Sequence, residues 1–388
     1  MDLTLSDEQR ELVRWASEFA ESKLAAEAML RQDRDSPAEW QNHSSFLAQQ
    51  GLLGLSLPEQ YGGGGLKRLD ALLVVEAVSR VCPYSGAIVR WTVGGPSAFI
   101  AELANPELKA AYLPDIARGA AAISVAMTEP DAGTASSDLT SRAVHTNGQY
   151  TITGSKIFIT LADRATAFVV YCRFVEAGGD AGVGAIIVNR DAPGLRVGER
   201  IEWMGGNVYP LYLDDVVVDE AQVLISPQGS KDSYKRLMQT YNVERLGGLF
   251  ELLGIAQLAL DKSVTYARER HQFGKPIASF QAVQLRLADM AMRLAAARLL
   301  TYKAASSADN GTVSRLDVSM ARVTTTEMVQ QVTSDAMHIH GGYGLTKEFG
   351  LEWLYRFTRH HTIAGGTSDI HRSMIASDLT GLHFDHRE

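Results

Sequence analysis

The hydrophobic pattern of this chain changes period twice, and that restricts its fold more than any single motif does. Residues 1–122 carry apolar positions at helical spacing, broken by short Gly/Pro interruptions. From Ser124 the texture changes to AISVAMTE, GQYTITGSKIFIT, AFVVYCRF, VGAIIVNR, LRVGERIEWM and YLDDVVVD. These runs alternate or are β-branched, with Gly, Asn and Asp between them, which is strand-and-turn spacing. After Gln228 helical spacing returns, with helices expected over Ser233–Glu269, Phe280–Ala308, Arg315–His338 and from Thr367. The expected order is an all-α domain over 1–122, an antiparallel β domain over 123–228 and a second α domain over 229–388.

Smaller signals refine this frame. Ser6 followed by Gln9 has the spacing of a capping box. Residues 57–65, LPEQYGGGG, read as a flexible loop. At 388 residues the chain is long enough for two or three domains and a large core. No apolar run approaches the roughly 18 residues that a membrane span needs. The N-terminus has neither a secretory nor a transit-peptide layout. Cys82 and Cys172 are too few for a disulfide framework, so the expected location is a reducing cytoplasm. From Lys231 onward there are 19 basic and 16 acidic residues within a chain of net charge −8. That mild bias suits a phosphate-bearing ligand, and the dense basic patches of nucleic-acid binders are missing.

Five stretches carry candidate chemistry. In TYNVERLGGLFELLGIAQLAL, Leu246, Leu249, Phe250, Leu253, Ala256 and Leu260 form a core face, and Glu244 stands off it beside Gly247 and Gly248. Read alone, Glu244 is a solvated helix charge; a ligand approaching the glycines closely is the other reading. MTEPDAGTASSD (Met127–Asp138) supplies hydroxyls and amides from a loop after a strand. In GSKIFIT, Phe158 and Thr160 point to one side of a strand, so they suit the face and edge of a planar group as well as an ordinary core. ARERHQFGKPIASFQ places Arg270, Gln272 and Phe273 before a helix start, where a guanidinium fork grips pyrophosphate. MHIHGGYG and IAGGTSDIHR are glycine turns, the second feeding a helix through Thr367 as N-cap. His338, His340, His360 and His361 lack a third ligand at metal spacing, so no metal is expected.

In this order and spacing, TEPDAG, ERHQFGKPI..FQ, HGGYG and GGTSDI..R closely resemble the FAD-dependent acyl-CoA dehydrogenases, over essentially Leu3 to Leu382. The resemblance implies an N-terminal helical domain, a middle antiparallel β domain and a C-terminal four-helix-bundle-like domain. FAD would lie between the last two and cross a subunit interface, in a homo-oligomer that is usually a dimer of dimers. Met127, Thr128 and Gly133 would contact the flavin, with Phe158 where the family commonly has Trp and Thr160 near N5. Arg270, Gln272 and Phe273 would reach a neighbouring subunit's FAD. His338, Gly341 and Gly342 would hold its pyrophosphate and adenosine end, and Thr367 and Asp369 would approach the cofactor. Two departures stand out: His338 replaces a usual Gln, and Asp369 a usual Gln or Glu.

The departure that decides the mechanism is Gly365, where most of the family has its catalytic glutamate. Members resembling isovaleryl- and long-chain acyl-CoA dehydrogenases place the base before the arginine of the earlier helix, which here is Glu244 before Arg245. The resemblance then implies α-proton abstraction by Glu244 with β-hydride transfer to flavin N5, giving an α,β-enoyl thioester. The Gly365 N–H and a flavin ribityl hydroxyl would stabilise the enolate oxygen, and Arg245 would orient the loop or ligand. Glu251, two turns on, reads as a helix-face charge. Thr134, Arg90, Asn242 and Arg245 are candidate substrate contacts, and a buried Arg90 would call for a polar or carboxylated acyl group. The implied substrate is an acyl-CoA or acyl-carrier thioester and the acceptor an electron-transfer flavoprotein or similar. The alternatives are a reductase similar to crotonobetainyl-CoA reductase or a flavin-dependent lyase on a polar acyl-CoA, and a catalytically silent FAD/CoA-binding protein.

Overall fold

A computed structural model describes residues 4–25, 36–204, 206–227, 233–308 and 313–382. The expected domain boundary at 228/229 falls outside the described residues. Compactness divides the chain into two units: 1–35 with 67–90 and 245–388, and 36–66 with 91–244.

The second unit is built on one sheet. Its strands are β1 (Ile123–Ala126), β2 (Arg142–Thr146), β3 (Gln149–Thr160), β4 (Ala167–Glu176), β5 (Gly179–Asn189), β6 (Leu195–Val197), β7 (Val208–Asp219) and β8 (Val223–Ile225). They run in the order β6-β7-β3-β2-β4-β5-β8, with β1 also on β4. Most pairs are antiparallel as the sequence implies, but β1 and β2 both run parallel to β4. The reason is local. The chain leaves β1 at Ala126, makes a detour through 127–141 and rejoins the same edge of β4 further along, at Arg142 opposite Arg173.

Alternation along β4 feeds two cores. Val169 and Tyr171 face a layer with Phe99, Leu113 and Leu237, while Phe168, Val170, Cys172 and Phe174 face Tyr150, Ile152 and Leu211. Helices α2 (Pro37–Gln49), α5 (Ser97–Leu103) and α6 (Pro106–Ala117) belong to this unit. The 57–65 loop is tightly packed where the sequence suggested flexibility. A Cβ on Gly63 would fall 2.2 Å from Leu57 O, and the Gly64 and Gly65 N–H groups donate to Gly54 O and Leu57 O. The stretch 195–204 forms only the three-residue β6 and an isolated bridge at Ile201.

The first unit is helical. It contains α1 (Asp7–Lys23), α3 (Arg68–Val81), α8 (Gln281–Ala308), α9 (Arg315–His340), α10 (Leu351–Arg359) and α11 (Ser368–Thr380), with α4 (Pro83–Val93) up to Arg90 and α7 (Ser233–Glu269) from Arg245. Ser6 caps α1 in a capping box, as its spacing implies. Ala256, Leu253 and Leu294 pack with Val329, Val332 and Leu354 in one core, and Phe250 stacks on Tyr302 at 5.3 Å. Cys82 and Cys172 are free and buried. Among the described residues no helix is long and apolar enough to cross a membrane, and no group of three or more His, Cys, Asp or Glu side chains is placed to hold a metal ion.

Candidate active site

In the sheet unit, the two motifs expected at the flavin are joined by a buried ion pair that sequence reading missed. Lys156 Nζ donates to Glu129 Oε1 at 2.7 Å and to Met127 O at 3.3 Å, both side chains being inaccessible to water. Glu129 also accepts from Thr140 N and Oγ1 at 2.7 Å and Ser141 N at 3.0 Å. Burial alone would raise the Glu129 pKa, but Lys156 and these donors hold it at about 2. Burial pulls Lys156 below the usual lysine range, while the Glu129 carboxylate opposes that shift.

This anchor sets the geometry of what faces outward. Ile157 N donates to Thr128 O at 2.9 Å, and a register shift between Lys156 and Ile159 leaves Phe158 at φ 60. Phe158 is 47% exposed and Thr160 is also exposed, with Ile159 buried between them. An exposed aromatic ring in a strained backbone conformation is a feature of binding sites. Trp203, which sequence reading left in a strand, lies 6.1 Å from Phe158 at 59°. Its only sequence signal was an aromatic beside a glycine pair. Met127 and Thr128 are half-buried, and Gly133 and Thr134 exposed.

In the helical unit, a cavity of ≈450 Å³ is lined by Tyr266, Arg270, Gln272, Ile277, Ile339, His340, Gly341, Gly342, Tyr343 and Thr346. It gathers Arg270, Gln272, Gly341 and Gly342 as a guanidinium, an amide and a glycine turn. That donor set fits the pyrophosphate of FAD. His340 lines it, stacked on Tyr266 at 4.2 Å, and burial lowers its pKa. His338 is exposed and outside the lining, as is Phe273, which is 92% exposed at φ 52.

The second cluster in this unit surrounds Gly365. Arg245 Nε donates to Gly365 O at 2.9 Å. Arg322, 5% exposed, donates through Nη2 to His361 O at 2.9 Å and to Ala364 O, and through Nε to Gly366 O at 3.4 Å. His371 is fully buried, with Nδ1 3.1 Å from Ser319 Oγ and Nε2 3.4 Å from Gly365 O. Gly365 and Gly366 sit at φ 75 and 96, and a Cβ on Gly365 would lie 3.1 Å from Arg322 Nη2. The space that a side chain at 365 would use is therefore taken by a guanidinium.

Burial and the neighbouring arginines keep the local histidines neutral. His371 is pushed down to about 3 by burial and then by Arg245 and Arg322, and His360 to about 4 by burial and Arg90. His361 is lowered well below the usual range by burial, His360 and the same arginines.

Arg90 is buried, and its partner lies within the chain: Arg90 Nε is 2.7 Å from Glu251 Oε2. Glu251 is 1% exposed, a buried counter-ion where a helix-face charge was expected, because it turns inward on α7. The inference from a buried Arg90 to an anionic acyl group thus loses its premise. Asn242 is buried and Glu244 half-buried on α7, one peptide before Arg245. Thr367 Oγ1 accepts from Ile370 N at 3.2 Å as N-cap of α11, and Asp369 is exposed in its first turn.

A helical, sheet and helical order with this donor set defines a class, and comparison with known proteins agrees. Residues 6–120, 124–216 and 234–380 match the N-terminal, middle and C-terminal domains of acyl-CoA dehydrogenases. The chain belongs to the acyl-CoA dehydrogenase family, and it is an FAD-dependent oxidoreductase acting on the CH–CH group of acyl-CoA thioesters. It is 36% identical to a 3-sulfinopropanoyl-CoA desulfinase of Paraburkholderia xenovorans (strain LB400), over 99% of this chain and 98% of that protein. It is 33% identical to an acyl-CoA dehydrogenase of Bacillus subtilis (strain 168), over 97% and 99%. A solved structure described as the electron transferring flavoprotein of Acidaminococcus fermentans superposes with a TM-score of 0.90 at 33% identity, covering 98% of this chain and 99% of that one.

Proposed function

We infer that Glu244 is the base of an acyl-CoA dehydrogenase whose family base position, residue 365, holds no carboxylate. One observation carries this reading. Arg245, the next residue on α7, is bonded to Gly365 O, and Arg322 fills the space beside Gly365. The loop that would ordinarily present the base therefore meets the helix that carries Glu244. When bound, FAD supplies the acceptor for the β-hydrogen as hydride. Met127, Thr128, Gly133, Phe158 and Thr160 hold its ring, and Arg270, Gln272, Phe273, His338, Gly341, Gly342, Thr367 and Asp369 its remaining parts, from this or a second copy of the chain. Glu244 removes the α-proton of the thioester, while the Gly365 N–H donates to the carbonyl oxygen as enolate charge grows there.

Thr134, Asn242 and Arg245 are the proposed substrate contacts, and Arg90 is already paired with Glu251. The product is an α,β-enoyl thioester, and electrons pass to an electron-transfer flavoprotein. A homo-oligomer, as a dimer of dimers, suits the apolar side chains that α8 exposes at Leu285, Met292 and Leu299, one heptad apart. The cytoplasm is the location that fits two free buried cysteines.

The test is Glu244→Gln in flavin-loaded protein. Bleaching of the flavin by acyl-CoA slows by roughly 10²–10⁴-fold if Glu244 is the base, and an unchanged rate rejects it. A second reading, a lyase on a polar acyl-CoA, is favoured by Arg322 beside the missing carboxylate. Elimination of a β leaving group together with the α-proton gives an enoyl thioester without reducing the flavin, so release of that group with no bleaching in the wild type would favour this reading.

A further inference from the structure

We propose that Arg322 is a positioning residue that aims the Gly365 and Gly366 N–H groups at the thioester carbonyl, with Arg245 and His371 as its helpers. The proposal rests on the reading of the Gly365 loop as the oxyanion site and adds what builds that site. In a trans peptide the C=O of one residue and the N–H of the next point in opposite directions. None of the peptide bonds of the described residues is cis. Arg322 binds Ala364 O, so the Gly365 N–H points away from the guanidinium. Arg245 and His371 bind Gly365 O, so the Gly366 N–H also points away from the clamp. Among the described residues neither N–H donates to an acceptor within the chain, and both glycines are only half-buried.

Two donors turned outward from adjacent residues form a concavity for an oxyanion. The cations behind them do more than orient. A guanidinium bonded to a peptide oxygen draws electron density from that peptide and makes its N–H a stronger donor. Arg322 suits this work because its planar fork reaches three carbonyls, those of His361, Ala364 and Gly366, from a rigid helix. A lysine has one compact charge and cannot span them. The two positive φ values complete the device, since only glycine adopts them without strain. Gly365 is thus fixed twice, by its backbone and by the guanidinium that a side chain there would displace.

The experiment uses the flavin-loaded full chain and cinnamoyl-CoA, an enoyl thioester whose absorption moves to the red when its carbonyl is hydrogen-bonded. Wild type and Glu244→Gln show the red shift on saturation. Arg322→Met and Gly365→Ala lose at least half of it, and Arg322→Lys recovers only part. A full red shift in Arg322→Met overturns the proposal. Should Arg322→Met fail to take up FAD, Arg322→Lys decides: a full red shift in that variant overturns the proposal. Failure of the base assignment is separate: it appears as undiminished bleaching in Glu244→Gln with the red shift intact.

Discussion

The two units hold their site loops with opposite charges. In the sheet unit a buried carboxylate, Glu129, draws N–H groups inward from Thr140 and Ser141. In the helical unit a buried guanidinium, Arg322, draws carbonyls inward from His361, Ala364 and Gly366. Each buried charge is met by peptide dipoles, Glu129 by Lys156 as well, but the dipoles' other ends differ. Around Glu129, Thr140 and Ser141 turn their amides to the anion. Around Arg322, the amides of Gly365 and Gly366 are turned out, towards where anionic oxygen would sit. The sign of a buried charge therefore selects which end of the neighbouring peptides turns inward.

The sharpest way to break this comparison is to remove one charge from each unit. Lys156→Met leaves Glu129 buried with backbone donors but no counter-charge, which costs about 3–5 kcal/mol. Denaturant unfolding should show that loss, together with weaker FAD retention, because Met127 and Phe158 lose their common anchor. A loss below about 1 kcal/mol would mean that the peptide dipoles alone hold Glu129. Arg322→Met should cost less, about 1–3 kcal/mol, since the half-buried Gly365 loop can rehydrate its carbonyls. Equal costs for the two changes would remove the distinction between a closed anchor and an open clamp.

The sequence carried the parts of this picture that are periodic or local. Helix α7 spans Ser233–Glu269 as its spacing requires, and α8 and α9 differ from expectation by no more than two residues at their ends. Phe158 and Thr160 were recognisable as a same-side pair because strand alternation is local. Helix α10 was missed, because Leu351–Arg359 is nine residues long and gives little over two turns of pattern. The three buried charge centres were missed for another reason. Glu129 meets Lys156 27 residues away, and Arg322 meets a loop about 40 residues away. No periodicity encodes such pairs, and a charged residue in a sequence reads as solvated until packing shows otherwise. Arg90 and Glu251 were each noticed singly, and their pairing was legible only in three dimensions.

A third comparison separates the units by pH. His371 is neutral in the folded chain down to about pH 3, while an unfolded histidine takes up its proton near 6.5. Below 6.5 the unfolded state therefore binds more protons, so this stability is fully present above 6.5 and declines as pH falls through the window to about 3. The slope is about 1.4 kcal/mol per pH unit for one histidine. Glu129 runs between other limits: its folded value of about 2 lies below the ordinary 4.5, so its contribution is intact above 4.5 and lost only below that. Between pH 6.5 and 4.5 the clamp weakens while the anchor does not. Hydrogen exchange followed from pH 7 to 5, corrected for intrinsic rates, should show α11 losing protection before β3 does, and His371→Asn should reduce that dependence, the remainder coming from His360 and His361. Parallel loss in both elements would show that the two units open together, whatever the sign of the charge each one buries.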